Sequence, residues 1–231
     1  MEYSYQEGAE GSLDRAGFIK ATYLHLAGAL MAFAGISLLL GQIGVGLIML
    51  SWMGASGMVW LGFLGAFMLV GWLASSMADK AESNRTQLIG LGLYVLAESL
   101  LFAPMFTIAN AVAPDAIPAA VLITALLVGG LTWTAFTSGK DFSFLGGILK
   151  IGGLVAIGTI IAGAIFGFTL GIWFSAIMVV FAGGCVLFDT SRIIHHYPAD
   201  RPAGAALHLF ASIALMLWYV LRILLALAGR D

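Results

Sequence analysis

The chain has 231 residues, of which 61% are hydrophobic and only 10% are charged, and its formal net charge is −2. Soluble domains carry roughly 25% charged residues, so this composition excludes an ordinary water-exposed surface. The balance of charge also lacks the basic excess that nucleic-acid binding requires. The lone cysteine, Cys185, excludes an internal disulfide and a cysteine metal cluster.

A short polar segment precedes the apolar part of the chain. Residues 1–17 contain four acids and one base, and we interpret them as a cytoplasmic tail in front of a transmembrane domain over 18–231. The uncharged runs that follow exceed the about 20 apolar residues that cross a bilayer. They predict seven transmembrane helices, near 19–41, 57–77, 87–110, 117–137, 146–167, 171–192 and 204–228.

The fifth and sixth predicted spans must be separated by a turn, because one helix over both would be about 65 Å long. We place this turn at GFTLG, 167–171. Gly163, Gly167 and Gly171 fall every fourth residue and are expected to share one face of the fifth span. Small residues allow close helix contact in lipid, so this face would pack within the bundle or form a sliding or dimer contact.

The basic residues predict the orientation. Lys and Arg occur before the first span and after the second, fourth and sixth, whereas the connections 42–56, 111–116 and 168–170 contain none. Cytoplasmic loops are enriched in these residues. We therefore expect a cytoplasmic amino terminus and, with seven spans, a carboxyl terminus outside.

A few polar residues lie inside the predicted spans. A charge at the bilayer centre costs at least about 2.5–3.5 kcal/mol, so Glu98, near the middle of the third span, is a candidate ion or proton site. A neutral Glu98 bonded to a neighbouring helix is the alternative. His208 and Ser212 lie one turn apart in the last span, with Arg222 farther along. We interpret His208 as a helix-packing residue rather than a metal ligand.

Asp189 lies near the carboxyl end of the sixth span, where the helix dipole and burial disfavour a negative charge. Arg192, three residues later, favours that charge. Two interpretations remain open at this point. Asp189 is either a proton-sensitive acid or half of an interfacial Asp–Arg pair that ends the helix.

No catalytic site is predicted. The tetrapeptide GASG, 54–57, is similar to the nucleophile motif of rhomboid intramembrane proteases. However, Ser56 lies on the predicted outer side and His25 on the inner side, across most of a hydrocarbon core about 30 Å thick. A general base must come within hydrogen-bond reach of its nucleophile. We therefore expect a non-enzymatic protein without a cofactor or a stable metal.

Four features occur in order along the chain. They are Pro104 followed by the A-x3-T-A pattern of Ala120, Thr124 and Ala125; KDFSFLGGIL, 140–149; LFDTSRII, 187–194; and YVLRIL, 219–224. With seven spans, these features resemble the Bax inhibitor-1/YccA family from about residue 18 onward. The resemblance implies an all-α membrane protein whose last helix is surrounded by the other six.

The resemblance also implies a function. Family members are linked to a pH-sensitive calcium leak, gated by two aspartates that share a proton between the sixth and seventh spans. Asp189 matches the first aspartate, but Ser212 occupies the second position, where we expect an ordinary hydrogen bond to Asp189. The arginine that family channels place near the inner end of the second span is also missing.

Two functions are therefore predicted. The first is a leak channel for calcium ions or protons in the lipid bilayer, with Asp189, Ser212 and Arg192 at the gate. The second, implied by bacterial relatives, is regulation of a membrane-anchored ATP-dependent (AAA) protease through the acidic tail. The short loops and the bacterial branch of the family favour a bacterial inner membrane.

Overall fold

The computed structural model describes residues 2–53, 57–80 and 83–229, with side chains from residue 14 except at 57 and 58. Seven of the helices in these ranges are long and apolar enough to cross a membrane, which confirms the predicted all-α fold. The observed boundaries of the second to seventh spans lie within three residues of the predicted ones. The helices are α1 (Glu2–Gln42), α2 (Val45–Met53), α3 (Gly57–Lys80), α4 (Asn84–Val112), α5 (Ala116–Thr137), α6 (Leu145–Phe166), α7 (Gly171–His195) and α8 (Pro202–Ala228).

The last helix, α8, lies at the centre of the bundle, as the resemblance implied, but five of the other six described spans surround it rather than all six. It packs against α1, α3, α4, α5 and α7, while α6 packs at the periphery against α3 and α7. The first turn of α8 contains the buried residues Ala203, Gly204, Ala205 and Ala206. Side chains this small let several helix backbones approach one helix closely, which is how helices associate without a hydrophobic driving force in lipid.

Two glycines fix the end of α3 between α4 and α8. A Cβ added to Gly90 of α4 would lie 2.7 Å from the carbonyl oxygen of Ala74. A Cβ added to Gly204 of α8 would lie 2.8 Å from the carbonyl oxygen of Ala78. Both alanines are fully buried. The last two turns of α3 are therefore held by backbone contact, at Ala74 against α4 and at Ala78 against α8.

Helix α2 was not predicted, because it lies in the stretch interpreted as a connection, 42–56. Its nine residues are too short to cross a bilayer. Gly44, with φ of 73°, turns the chain out of α1. Gly46 then packs so closely on α4 that a Cβ there would lie 2.4 Å from the carbonyl oxygen of Ala103. Tertiary packing therefore orders this apolar connection as a helix.

The predicted turn at 167–171 is confirmed. The prediction that Gly163, Gly167 and Gly171 share one face of the fifth span is wrong, because two of these glycines belong to the turn. Helix α6 ends at Phe166, where Gly167 caps it in the left-handed conformation with φ of 75°. Gly171, with φ of 61°, begins α7. Only Gly163 of the three glycines lies within α6, since the other two supply the positive φ angles that the turn needs.

The basic residues of the connections lie at one end of the bundle, which we call the basic end. The first span, α4, α6 and α8 begin there, and α3, α5 and α7 end there. The residues are Arg15, Lys20, Lys80, Arg85, Lys140, Lys150, Arg192 and Arg201.

Candidate functional site

The hydrogen bond expected between Asp189 and Ser212 is present. Helices α7 and α8 are packed side by side, and the Ser212 hydroxyl donates to Asp189 Oδ2 at 2.5 Å. Ser212 is buried, so the bond forms within the packed bundle. The structure thus brings together the two residues that the resemblance assigned to the gate.

Arg192 does not pair with Asp189. Among the described residues, no contact within 4.0 Å joins its guanidinium to that carboxylate. Instead, Arg192 Cζ lies 5.5 Å from the ring centre of Phe188 and 5.3 Å from that of Tyr197. These distances are within the range of cation–π attraction. The interfacial Asp–Arg pair that the sequence left open is therefore not formed.

A second carboxylate contacts α8 one turn closer to the basic end. Asp79, in the last turn of α3, receives hydrogen bonds from His208 Nε2 at 3.0 Å to Oδ1 and 2.9 Å to Oδ2. The Tyr197 hydroxyl donates to Oδ1 at 2.5 Å. We call Asp79, His208 and Tyr197 the Asp79 cluster. His208, predicted as a packing residue, thus joins α3 to α8 through an ionisable partner.

Sequence reasoning missed Asp79 and Tyr197 as site residues. Asp79 marks the end of a long uncharged run and is followed directly by Lys80, a pattern typical of a span boundary. The hydrogen bond to His208 joins residues 129 positions apart. No local pattern identifies such a pair, because helix packing alone brings the two side chains together.

Tyr197 lies between α7 and α8, outside the spans, and is buried. Burial raises the pKa of its hydroxyl, as does its hydrogen bond to Asp79. The hydroxyl therefore keeps its proton and acts as a donor. Arg15 of α1 fixes the backbone here, since its Nη1 donates to the Tyr197 carbonyl at 2.5 Å.

Glu98 lines a cavity of about 630 Å³ between α3, α4, α6, α7 and α8. It is 5% exposed, and Tyr94, one turn earlier on α4, interacts with its side chain. Ser212 and Arg222 line the same cavity. Arg222 Cζ lies 5.9 Å from the Tyr219 ring centre. Three residues singled out from the sequence therefore share one space inside the bundle.

This cavity occupies the half of the bundle away from the basic end. Its lining extends from Trp60 and Arg222 to Ser212, and Ser212 lies about 15 Å from Arg222 along α8. A larger cavity of about 1400 Å³, between α1, α2, α4, α5 and α8, has no Asp, Glu, Lys, Arg or His among the described residues that line it. The smaller cavity is therefore the one with the chemistry to interact with ions.

A third polar cluster joins two segments that carried the resemblance. Asp141, between α5 and α6, accepts hydrogen bonds from the Ser143 hydroxyl at 2.6 Å, Ser191 at 3.2 Å and His196 at 2.6 Å. Ser191 also accepts a bond from the Phe142 backbone N–H at 2.9 Å. Hydrogen bonds from Ser143 and His196 hold the pKa of the Asp141 carboxyl well below its usual range. This cluster ties KDFSFLGGIL to LFDTSRII at the basic end.

The described residues offer little for catalysis or a permanent metal. No three His, Cys, Asp or Glu side chains among them are close enough to hold a metal ion. His25 Nδ1 bonds the Ala21 carbonyl at 2.7 Å, and Ser56 lies outside the described residues. The described lining of the smaller cavity includes one carboxylate, that of Glu98, whereas a stable calcium site has six to eight oxygen ligands.

These features define a helix-bundle membrane protein with an internal cavity lined by Glu98 of α4 and by Ser212 and Arg222 of the central helix. The family model described as "Inhibitor of apoptosis-promoting Bax1" matches residues 15–229. The chain therefore belongs to the Bax inhibitor-1 family, which confirms the resemblance.

A Pseudomonas aeruginosa protein, named "Uncharacterized protein PA2604", is 33% identical to this chain over 116 residues. The match covers 50% of this chain and 51% of the relative, so the chain spans about half the length of the curated relative it matches. No solved structure matches the chain.

Proposed function

We propose that this protein is a pH-sensitive leak path for cations, calcium ions or protons, across a membrane. The proposal rests on the cavity that contains Glu98 and ends at Ser212, where the hydrogen bond to Asp189 closes it. Family membership supports the same function. Intramembrane acids mark ion or proton pathways in many transporters, and Glu98 and Asp189 are acids of this kind.

The Asp189–Ser212 bond is the proposed gate. An ionised Asp189 accepts the Ser212 hydroxyl, which holds α7 against α8 at the inner limit of the cavity. A change in the protonation of Asp189 replaces a charge-assisted bond with a neutral one, and charge-assisted bonds are roughly twice as strong. Protonation would therefore loosen the contact between the two helices, which gives the leak its dependence on pH.

We also propose that the basic end faces the cytoplasm, because bases are enriched in cytoplasmic loops. The amino terminus would then lie inside and the carboxyl terminus outside, in a bacterial inner membrane. A reporter enzyme that is active only outside the cytoplasm, fused after Asp231, tests this orientation. Activity of that fusion supports it, and activity of a cytoplasmic reporter at the same position contradicts it.

Flux in liposomes tests the leak. The purified protein would be reconstituted, and entry of calcium and of protons followed with separate trapped dyes between pH 6 and 8. We expect flux above that of empty vesicles for at least one ion, with a pH dependence that Asp189→Asn abolishes or displaces. Glu98→Gln should lower the flux itself, because it removes the acid from the cavity wall.

The matched control is Asp115→Asn, the same chemical change at an exposed residue that caps no helix N–H. It should behave as the wild type does. Folded protein that gives no flux of either ion at any pH would overturn the proposal. The regulatory hypothesis would then be tested next, by deleting the acidic tail and measuring degradation by a membrane-anchored protease.

A further inference from the structure

We propose that Asp79 and His208 form a second proton-binding site of this leak path, between the Asp189–Ser212 pair and the basic end. Proton occupancy of this site would set the pH response that the family's second aspartate sets elsewhere. The inference rests on the proposed function.

The contacts hold the carboxylate and the imidazole in one arrangement. Both oxygens of Asp79 lie within 3.0 Å of His208 Nε2, and one of them also accepts the Tyr197 hydroxyl. Arg201 donates through Nη1 to the backbone carbonyl of Asp79. Two side chains therefore bind the carboxylate, and a third fixes the backbone that carries it.

The backbone around the pair is equally constrained. His208 lies one turn after Gly204, the residue at which α8 contacts the Ala78 carbonyl of α3. A Cβ on Gly204 would also lie 2.8 Å from the Tyr197 hydroxyl. The absence of a side chain at this position thus places Asp79 and Tyr197 beside His208. The packing of α3 on α8 therefore brings Asp79 and His208 together, and the connection between α7 and α8 adds Tyr197.

The pair is in series with the proposed gate. Ser212 follows His208 by four residues, which is about 6 Å along α8. From the cavity toward the basic end, α8 therefore presents Ser212, bonded to Asp189, and then His208, bonded to Asp79. A proton that leaves the first pair would reach an imidazole within one helical turn.

The charges that face His208 come from several elements. Asp79 of α3 and Asp189 of α7 are the two acids, and Arg192 of α7 is the base. The connection between α7 and α8 contributes Arg201 near Asp79 and the neutral Tyr197. From α4, Gln87 faces this region through its bond to the Asp200 carbonyl and carries no charge. The imidazole thus lies between two carboxylates and one guanidinium.

The Asp79–His208 pair supplies the titratable partner that is absent at residue 212. A serine hydroxyl does not titrate, so Asp189 has no partner there with which to share a proton. Imidazole changes its charge between about pH 5 and 8 more readily than any other side chain. When His208 is charged and Asp79 is ionised, an ion pair ties α3 to α8. Loss of either charge removes the ion pair and leaves a weaker hydrogen bond between one charged group and one neutral group.

Nuclear magnetic resonance of the histidine rings tests the site without relying on flux. The full chain would be labelled with ¹⁵N-histidine in nanodiscs, and the His208 signal assigned by its loss in His208→Gln. We expect Asp79→Asn to displace the titration midpoint of His208 by about one pH unit or more, the usual effect of a neighbouring charge. Asp115→Asn should leave the midpoint in place. An unchanged midpoint in Asp79→Asn would overturn the inference.

The flux assay then links the site to transport. Between pH 6 and 8, we expect His208→Gln to weaken the pH dependence of flux, so that the ratio of the two end-point rates moves towards one and the remaining dependence is that of Asp189. Asp79→Asn should displace the pH dependence of flux from that of the wild type. Asp79→Glu, which keeps a carboxylate, should give a pH dependence close to that of the wild type. If the wild type conducts and these variants keep its pH profile, the inference alone is wrong. If the wild type does not conduct, the proposed function fails and the inference fails with it.

Discussion

Two carboxylates form hydrogen bonds to the central helix near the same end of the bundle, and they differ in their partner residue on that helix. Asp189 of α7 accepts a hydrogen bond from Ser212, whereas Asp79 of α3 is bonded to His208, one turn away on α8. The first partner cannot change its charge, and the second can. The comparison shows that a titratable pair can occur at a different position of the central helix from the one the family pattern indicates.

The largest expected effect comes from giving Asp189 a partner that can also change its charge. Ser212→Asp would place a carboxylate within hydrogen-bond distance of Asp189, so the two acids would titrate as a coupled pair. We expect the pH midpoint of flux to move by more than about one unit, the threshold at which coupling becomes evident. Liposome flux from pH 5 to 9 measures this shift. Ser212→Asn, which is polar and uncharged, is the control and should give no such displacement.

The next effect concerns the backbone contact that builds the Asp79 cluster. Gly204→Ala would place a Cβ 2.8 Å from the Ala78 carbonyl oxygen, and overpacking of this kind costs about 1–3 kcal/mol. We expect a lower unfolding midpoint in detergent and a changed His208 titration. Gly28→Ala is the control, at a helix position where an added Cβ would have nothing within 4 Å. It should change neither the unfolding midpoint nor the His208 titration. Equal stability of the two variants would show that the contact is not tight.

A smaller effect is expected from removing one bond of the cluster. Tyr197→Phe deletes the hydroxyl that donates to Asp79, at a cost of about 1 kcal/mol in the free energy of unfolding. Tyr219→Phe is the matched control. Its hydroxyl makes no hydrogen bond in the part of the chain that the structure describes. Unfolding in a graded series of denaturing detergent compares the two, and equal losses would contradict a specific bond at Asp79.

The smallest expected effect is at Asp141, which is exposed. Its pKa is lower in the folded protein than the usual 3.8, first because of Ser143 and then His196. A pKa that is lowered by folding stabilises the folded state at pH values above the ordinary pKa of the carboxyl. This contribution is lost as the pH falls through the lower pKa of the folded protein. The stability difference between wild type and Asp141→Asn should therefore be constant near neutral pH and shrink below about pH 4. Thermal unfolding from pH 7 to 3 measures it, and a difference that grows with acidity would contradict the assignment.

Much of the fold could be predicted because membrane solvation imposes it locally. Long uncharged runs must form helices that satisfy their own backbone groups in lipid, which is why all seven spans were found. The turn at 167–171 was found for the same reason, since one helix over both spans would be far too long. Helix α2 was missed because its conformation depends on packing against α4.

The candidate site divides in the same way. Glu98 and Asp189 were identifiable because an ionisable group inside an apolar run is costly wherever the run packs, and Ser212 because it stands where the family pattern has its second aspartate. Asp79 lies at the end of such a run, where a charge costs little, so nothing in its neighbourhood predicted a role. His208 was noticed, but its partner was not.

The sequence by itself determined that this chain crosses a membrane seven times, which polar groups lie within its apolar runs, and that Ser212 stands where the family pattern has an acid. Only the tertiary structure decided that α8 meets α3 through Gly204, that Arg192 lies over aromatic rings, and that His208 is bonded to Asp79. The physical reason is range. Transfer into lipid acts on each segment separately, whereas the identity of a hydrogen-bond partner depends on which helices lie side by side.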